Sequence, residues 1–202
     1  QHAPPLPAAR ELPQRYLNNL GFKPTGAQQR VGAEIAYDLA QNEPMLRLVQ
    51  GDVGAGKTVV AALAALQALE AGYQVALMAP TEILAEQHFL NIRDMLAKTD
   101  VDLRLLIGSL KKKEKDKVHQ ELNKGRIDLV IGTHALLGKS IDFADLGLLI
   151  IDEEQRFGVG HKERLKQLRS DIHVLTLTAT PIPRTLQLSL SGVRDLSIIG
   201  TP

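Results

Sequence analysis

Short apolar runs alternate along this chain with longer stretches in which apolar positions recur every three or four residues. The runs fall at residues 46–49, 75–79, 103–107, 129–131, 148–151, 174–177 and 196–199. Most are continuous rather than alternating in polarity, as expected of strands covered on both faces in a parallel sheet. The stretches between them, 27–40, 57–70, 83–96, 111–123, 162–168 and 183–190, have helical spacing. Strand and helix in alternation predict an α/β fold, with a mainly parallel central sheet and helices on both faces. The first thirteen residues hold Pro4, Pro5, Pro7 and Pro13. Residues 1–20 therefore read as an N-terminal arm or linker, and 21–202 as one domain.

Composition narrows the picture by exclusion. The 202 residues carry 24 Lys and Arg against 23 Asp and Glu, a net charge of +1. Neither a polybasic tail nor an acidic solvating segment dominates, so any nucleic-acid contact must come from local patches. Two such patches exist: residues 111–126 hold seven bases and three acids, and residues 156–169 hold five bases and one acid. A solvated helix face is the commoner meaning of such runs. Seven aromatic residues make base stacking a poor basis for binding. No cysteine is present, which removes disulfides, thiolate metal sites and thiol nucleophiles and suits a cytoplasmic protein. The longest apolar stretch, residues 59–69, is about half the length of a membrane span. The chain starts without an initiator Met and stops directly after an apparent strand. It reads as a domain cut from something longer.

Chemistry enters at Gly51-Asp52-Val53-Gly54-Ala55-Gly56-Lys57-Thr58, a full G-x-x-x-x-G-K-[ST] match between a predicted strand and a predicted helix. Gly51, Gly54 and Gly56 allow the backbone to aim several N–H groups at one phosphate, and the helix start adds partial positive charge. Lys57 can reach the β- and γ-phosphates of ATP, and the Thr58 hydroxyl can hold Mg²⁺. The plain alternative is a glycine-rich turn with a chance Lys-Thr. About 95 residues later the strand 148–151 runs into Asp152-Glu153-Glu154-Gln155. An acid at the tip of a strand next to the loop strand is suited to the nucleotide's Mg²⁺. Asp152 is expected to bind that ion and Glu153 to orient and deprotonate the attacking water. A solvated acidic turn is the alternative.

The order Gly-Lys-Thr, Asp-Glu-Glu-Gln, then Thr178-Ala179-Thr180 resembles the first motor lobe of the superfamily-two helicases. The segments 152–159 and 178–186 resemble, more closely, two families of bacterial double-stranded DNA translocases. These are the RecG branch-migration helicases and the Mfd transcription-repair coupling factors. From residue 22 to about 137 the text is RecG-like, and from about 145 it is Mfd-like. Either a divergent member of one family or a hybrid of two halves would look this way, and a hybrid is the expectation here.

The resemblance implies a RecA-like ATP-binding lobe over residues 21–202. The whole motor would use ATP and Mg²⁺ to move on double-stranded or branched DNA in repair and recombination, with RNA polymerase a further partner if it is Mfd-like. Catalysis would rest on Lys57, Asp152 and Glu153. Phe22 and Gln28 would match an adenine-recognising motif, the Gln amide offering adenine both a donor and an acceptor. Pro80, Thr81, Gly108, Ser109 and Thr133 would contact the DNA backbone, although Thr81 and Thr133 also suit plain helix caps. Gln155, Arg156, Thr178 and Thr180 would couple nucleotide state to DNA. Position 155 is Gln where both relatives usually carry His, and Gln cannot titrate. His88 and His134 do not read as metal ligands, since no carboxylate or second His sits at ligand spacing. The second RecA-like lobe, which carries an arginine finger in this group, is expected to be missing, leaving the isolated lobe largely inactive. A non-hydrolysing nucleotide- and DNA-binding module is the alternative. A small-molecule kinase would need a lid and a substrate-binding base set, for which no candidate appears.

Overall fold

The structure, a computed structural model, describes residues 2–8, 11–19, 23–51, 56–153, 159–179 and 195–199. Within these the chain runs α1 (Glu11–Asn19), α2 (Gly26–Leu39), β1 (Leu46–Gly51), α3 (Lys57–Glu70), β2 (Gln74–Met78), α4 (Glu82–Met95) and β3 (Leu103–Leu106). It continues with α5 (Lys112–Asn123), β4 (Leu129–Gly132), a 3-10 turn (His134–Leu137), β5 (Leu146–Asp152), α6 (Val159–Asp171), β6 (His173–Thr178) and β7 (Asp195–Ile199). The predicted helix 183–190 lies outside the described residues. All described strand pairs are parallel, in the order β3-β4-β2-β5-β6-β1-β7.

Alternate residues of each central strand feed two cores. Val75, Leu77, Leu129, Ile131, Leu148 and Ile150 face a layer that includes α2, α3 and α4. Ala76, Met78, Val130, Leu149 and Ile151 face the layer of α5 and α6. Burial on both sides explains why these strands read as unbroken apolar runs. Helix α3 sits deep, with Val59, Val60, Ala61, Ala64, Ala65 and Leu66 all buried. Among the described residues no helix is long and apolar enough to cross a membrane.

The proline-rich start departs from the arm expected of it. Pro13 stands in the first turn of α1, where a missing N–H costs nothing because helix starts leave it unpaired anyway. Leu6 and Tyr16 are buried in the main core. Backbone bonds from Ala3 N to Asn42 O and from Leu6 N to Leu39 O stitch the segment down. Gln67 Nε2 donates to Leu6 O at 2.7 Å. Burial pushes the Tyr16 hydroxyl up to about 12.

His173 fastens the same segment to the sheet. Its ring is fully buried at the start of β6. Nδ1 accepts from Met45 N at 2.9 Å and Nε2 donates to Pro4 O at 2.8 Å, so the bonded form is the neutral ring. Burial holds its pKa below the usual 6.5, outweighing the bond to Pro4 and the charge of Asp38. An unfolded chain takes that proton near 6.5 while the folded chain resists it. Stability is therefore complete above about pH 6.5 and falls as pH drops below it, by up to about 1.4 kcal/mol per pH unit, until the folded pKa is reached. Thermal melts of the chain and of His173→Asn between pH 5 and 8 test this. Asn can still accept from Met45 N but cannot titrate, so its melting temperature should fall less on acidification. Parallel curves would refute the assignment.

Candidate nucleotide and nucleic-acid site

The sheet order divides the C-terminal ends of the strands into two neighbourhoods. Ligands of open α/β sheets bind at these ends. The ends of β5, β6 and β1, which are adjacent, lead into Asp152 and Glu153, into Thr178, and into the glycine loop. The ends of β3, β4 and β2, also adjacent, lead into Gly108 and Ser109, into Thr133, and into Pro80 and Thr81. The acid strand was expected next to the loop strand. Instead β6 lies between them, and it supplies Thr178 at that point.

The first neighbourhood is a polar cluster. Gly51 ends β1 and Gly56 caps α3 with φ 77°, the left-handed region that glycine tolerates. A side chain at Gly56 would also collide with the Gln28 amide, whose Nε2 lies 1.6 Å from where a Cβ would be. Lys57 and Thr58 open α3, and Lys57 Nζ stands 3.5 Å from Glu153 Oε1. Glu153 itself has φ 55°, a left-handed conformation costly for a residue with a side chain. Several bonds hold it there. Its N–H donates to Leu177 O at 2.8 Å, and its carboxylate accepts from Ala179 N at 2.6 Å and Thr178 Oγ1 at 3.2 Å.

Gln28 is buried and already engaged. Its Oε1 accepts from Thr25 N at 2.8 Å, its backbone N–H donates to Thr25 Oγ1, and its Nε2 donates to Gly56 O at 3.4 Å. This capping box starts α2 and ties it to the loop. The amide thus faces the glycine loop here. A cavity of about 800 Å³ between α1, α2 and α3, lined largely by apolar side chains such as Leu17, Ile35 and Leu63, also borders Gln28.

In the second neighbourhood Thr81 caps α4, accepting from Leu84 N at 3.2 Å. Thr133 is buried and makes no such cap bond to the turn that follows it. Glu82 reaches across from α4 to accept from Ser109 N at 3.2 Å. A Cβ at Gly108 would lie 2.9 Å from Glu82 Oε1, the far end of a side chain that can shift aside. Gly132 has no such room, since a Cβ there would run into the backbone carbonyl of Leu106 on the neighbouring strand. Phe22, Gly54, Gln155, Arg156 and Thr180 lie outside the described residues.

Two contacts were not foreseen. Glu82 bridges the loops that follow β2 and β3, and His88 Nε2 lies 2.7 Å from Asp152 Oδ2. The partners are 27 and 64 residues apart, so no local spacing betrays them. Among the described residues no group of three or more His, Asp or Glu forms a metal cluster. The two residues expected to hold Mg²⁺, Thr58 at the start of α3 and Asp152 at the end of β5, offer a hydroxyl and a carboxylate, a donor set that fits an ion which commonly takes one or two protein oxygens and completes its shell with phosphates and water.

Known proteins resemble this chain over nearly all of its length. The family profile described as DEAD/DEAH box helicase matches residues 25–189. The transcription-repair-coupling factor of Bacillus subtilis is 49% identical over 192 residues, covering 95% of this chain and 16% of that protein. The ATP-dependent DNA helicase RecG of Acidithiobacillus ferridurans is 49% identical over 199 residues, covering 98% of this chain and 29% of that protein. A solved structure of RecG bound to a three-way DNA junction superposes with a TM-score of 0.86 at 41% identity, covering 100% of this chain and 27% of that one. The chain thus spans less than a third of each of these relatives, and both kinds resemble nearly all of it.

Proposed function

The chain belongs to the DEAD/DEAH box helicase family, and from that premise we propose that it is the ATP-binding first motor lobe of a double-stranded DNA translocase acting in repair and recombination. The carrying observation is the meeting of Lys57 with Glu153 at 3.5 Å. Two motifs far apart in sequence share one cluster at the ends of β1 and β5, across the intervening β6, beside the helix start that favours phosphate.

In this reading the loop amides and Lys57 hold the phosphates of ATP, and Thr58 and Asp152 hold Mg²⁺. Held there, the ion would supply neutralising charge for the phosphates. Glu153, fixed by Ala179 N and Thr178 Oγ1, orients water and accepts its proton. Gln28 and Phe22 recognise adenine, for which Gln28 exchanges its bond to Gly56. Gln155, Arg156, Thr178 and Thr180 relay nucleotide state. Pro80, Thr81, Gly108, Ser109 and Thr133 contact the sugar-phosphate backbone of double-stranded or branched DNA. Similarity to RecG and to transcription-repair-coupling factors supports fork regression or transcription-coupled repair as the setting, in the cytoplasm, with RNA polymerase a partner in the second case. A second RecA-like lobe completes the site, so the 202-residue chain alone turns over little ATP.

ATP turnover by this chain, with and without forked DNA and beside Asp152→Asn, tests the reading. Negligible turnover with weak nucleotide binding is expected. Brisk, DNA-stimulated turnover that Asp152→Asn loses would mean that the chain assembles a full site by itself, and would overturn the incomplete-motor reading.

A further inference from the structure

We propose that His88 is a positioning residue for the magnesium-binding carboxylate, joining the backbone-contact half of the sheet edge to the nucleotide half. The inference rests on the reading of Asp152 as a Mg²⁺ ligand. His88 lies on α4, the helix that follows β2 and is capped by Thr81. Asp152 ends β5. β2 and β5 are the neighbouring strands at which the two neighbourhoods meet. The His88–Asp152 bond therefore crosses the boundary between them.

The geometry suits a fixed orientation. The separation is 2.7 Å, and the two side chains are 15% and 13% exposed. A carboxylate only accepts, so the ring nitrogen facing it carries the hydrogen. The bond occupies Oδ2 and leaves Oδ1 to face a cation, directly or through water. A carboxylate at a strand tip would otherwise rotate about its last torsion. Neighbours that orient a metal ligand typically change metal affinity by roughly 10- to 100-fold when removed.

Helix α4 is itself anchored. Ala85 and Ile92 are buried in the core shared with α3. Its first turn holds the Ser109 loop through Glu82. A rigid element thus carries a backbone-contact loop at one end and the Asp152 partner two turns along.

The test measures binding of a fluorescent ADP analogue to the chain in Mg²⁺ and in EDTA, and takes the ratio of the two affinities as the magnesium gain. His88→Ala should reduce that gain by about 10-fold or more and leave binding in EDTA unchanged. His88→Gln, whose Nε2 can carry a hydrogen to the same oxygen, should recover most of it. If His88→Ala does not fold, His88→Met supplies the volume without the donor. A full magnesium gain in His88→Ala or His88→Met overturns the proposal, as does a His88→Gln protein no better than Ala. Asp152→Asn separates the two ideas. If it also keeps the gain, the reading of Asp152 fails. If it loses the gain while His88→Ala keeps it, only the role of His88 fails.

Discussion

Lys57→Ala is expected to abolish measurable nucleotide binding while the chain stays folded. Lys57 stands at the first position of α3, and its side chain is 12% exposed. A hydrogen bond to a charged group contributes about 1.5–3 kcal/mol, roughly 10- to 150-fold in affinity. The loss exceeds that figure here, because the ammonium also neutralises Glu153 at 3.5 Å. Without it the carboxylate faces the incoming phosphates with its charge uncompensated. Folding should survive, since the buried face of α3 is carried by Val59, Val60, Ala64 and Leu66. Calorimetric titration with ATP and Mg²⁺ checks this, with circular dichroism as the control for folding. Equal affinities in variant and wild type would remove the basis of the site.

Glu153→Gln should separate binding from chemistry in a protein carrying both lobes. The amide oxygen keeps the bond from Ala179 N, and the amide nitrogen can donate to Thr178 Oγ1 in place of the bond the carboxylate accepted from it, so the left-handed backbone at this position should stay supported. The carboxylate's basicity is lost, and a positioned general base contributes roughly 10²- to 10⁴-fold in rate. Hydrolysis should fall by about that factor. Nucleotide affinity should hold or rise slightly, because Lys57 no longer shares its charge with a neighbouring acid. Steady-state turnover and nucleotide titration on the same preparation decide it. Turnover within tenfold of wild type would exclude Glu153 as the base.

The parts that were legible in the sequence are those whose signal is local. Strands such as β2 and β5 announce themselves because both faces are covered, which forces unbroken apolar runs. The loop through Lys57 and the acids 152–153 are contiguous motifs flanked by the elements their chemistry needs. What stayed hidden was pairing at a distance. Nothing in residues 148–153 says that β6 intervenes before β1. Nothing near His88 points to Asp152, and nothing near Glu82 points to Ser109. Helix α1 was hidden for a different reason: proline density suggested a linker, yet Pro13 falls in a first turn, where it is harmless. Gln28 was legible as a residue of interest, but its bond to Gly56 depends on how α2 packs against the loop.

The position of β1 in the sheet has a consequence for how the protein is made. Its neighbours are β6 and β7, which begin at His173 and Asp195. Among the described strands a ribosome delivers β1 first, and neither neighbour exists until synthesis passes residue 173. The other early strands fare better, since β2 can pair with β4 once about fifty more residues have emerged. During that interval the strand leading into the glycine-rich loop has both edges open, a hazard for pairing with other nascent chains. Nascent chains truncated before residue 173 should therefore be more aggregation-prone than those that include β6 and β7.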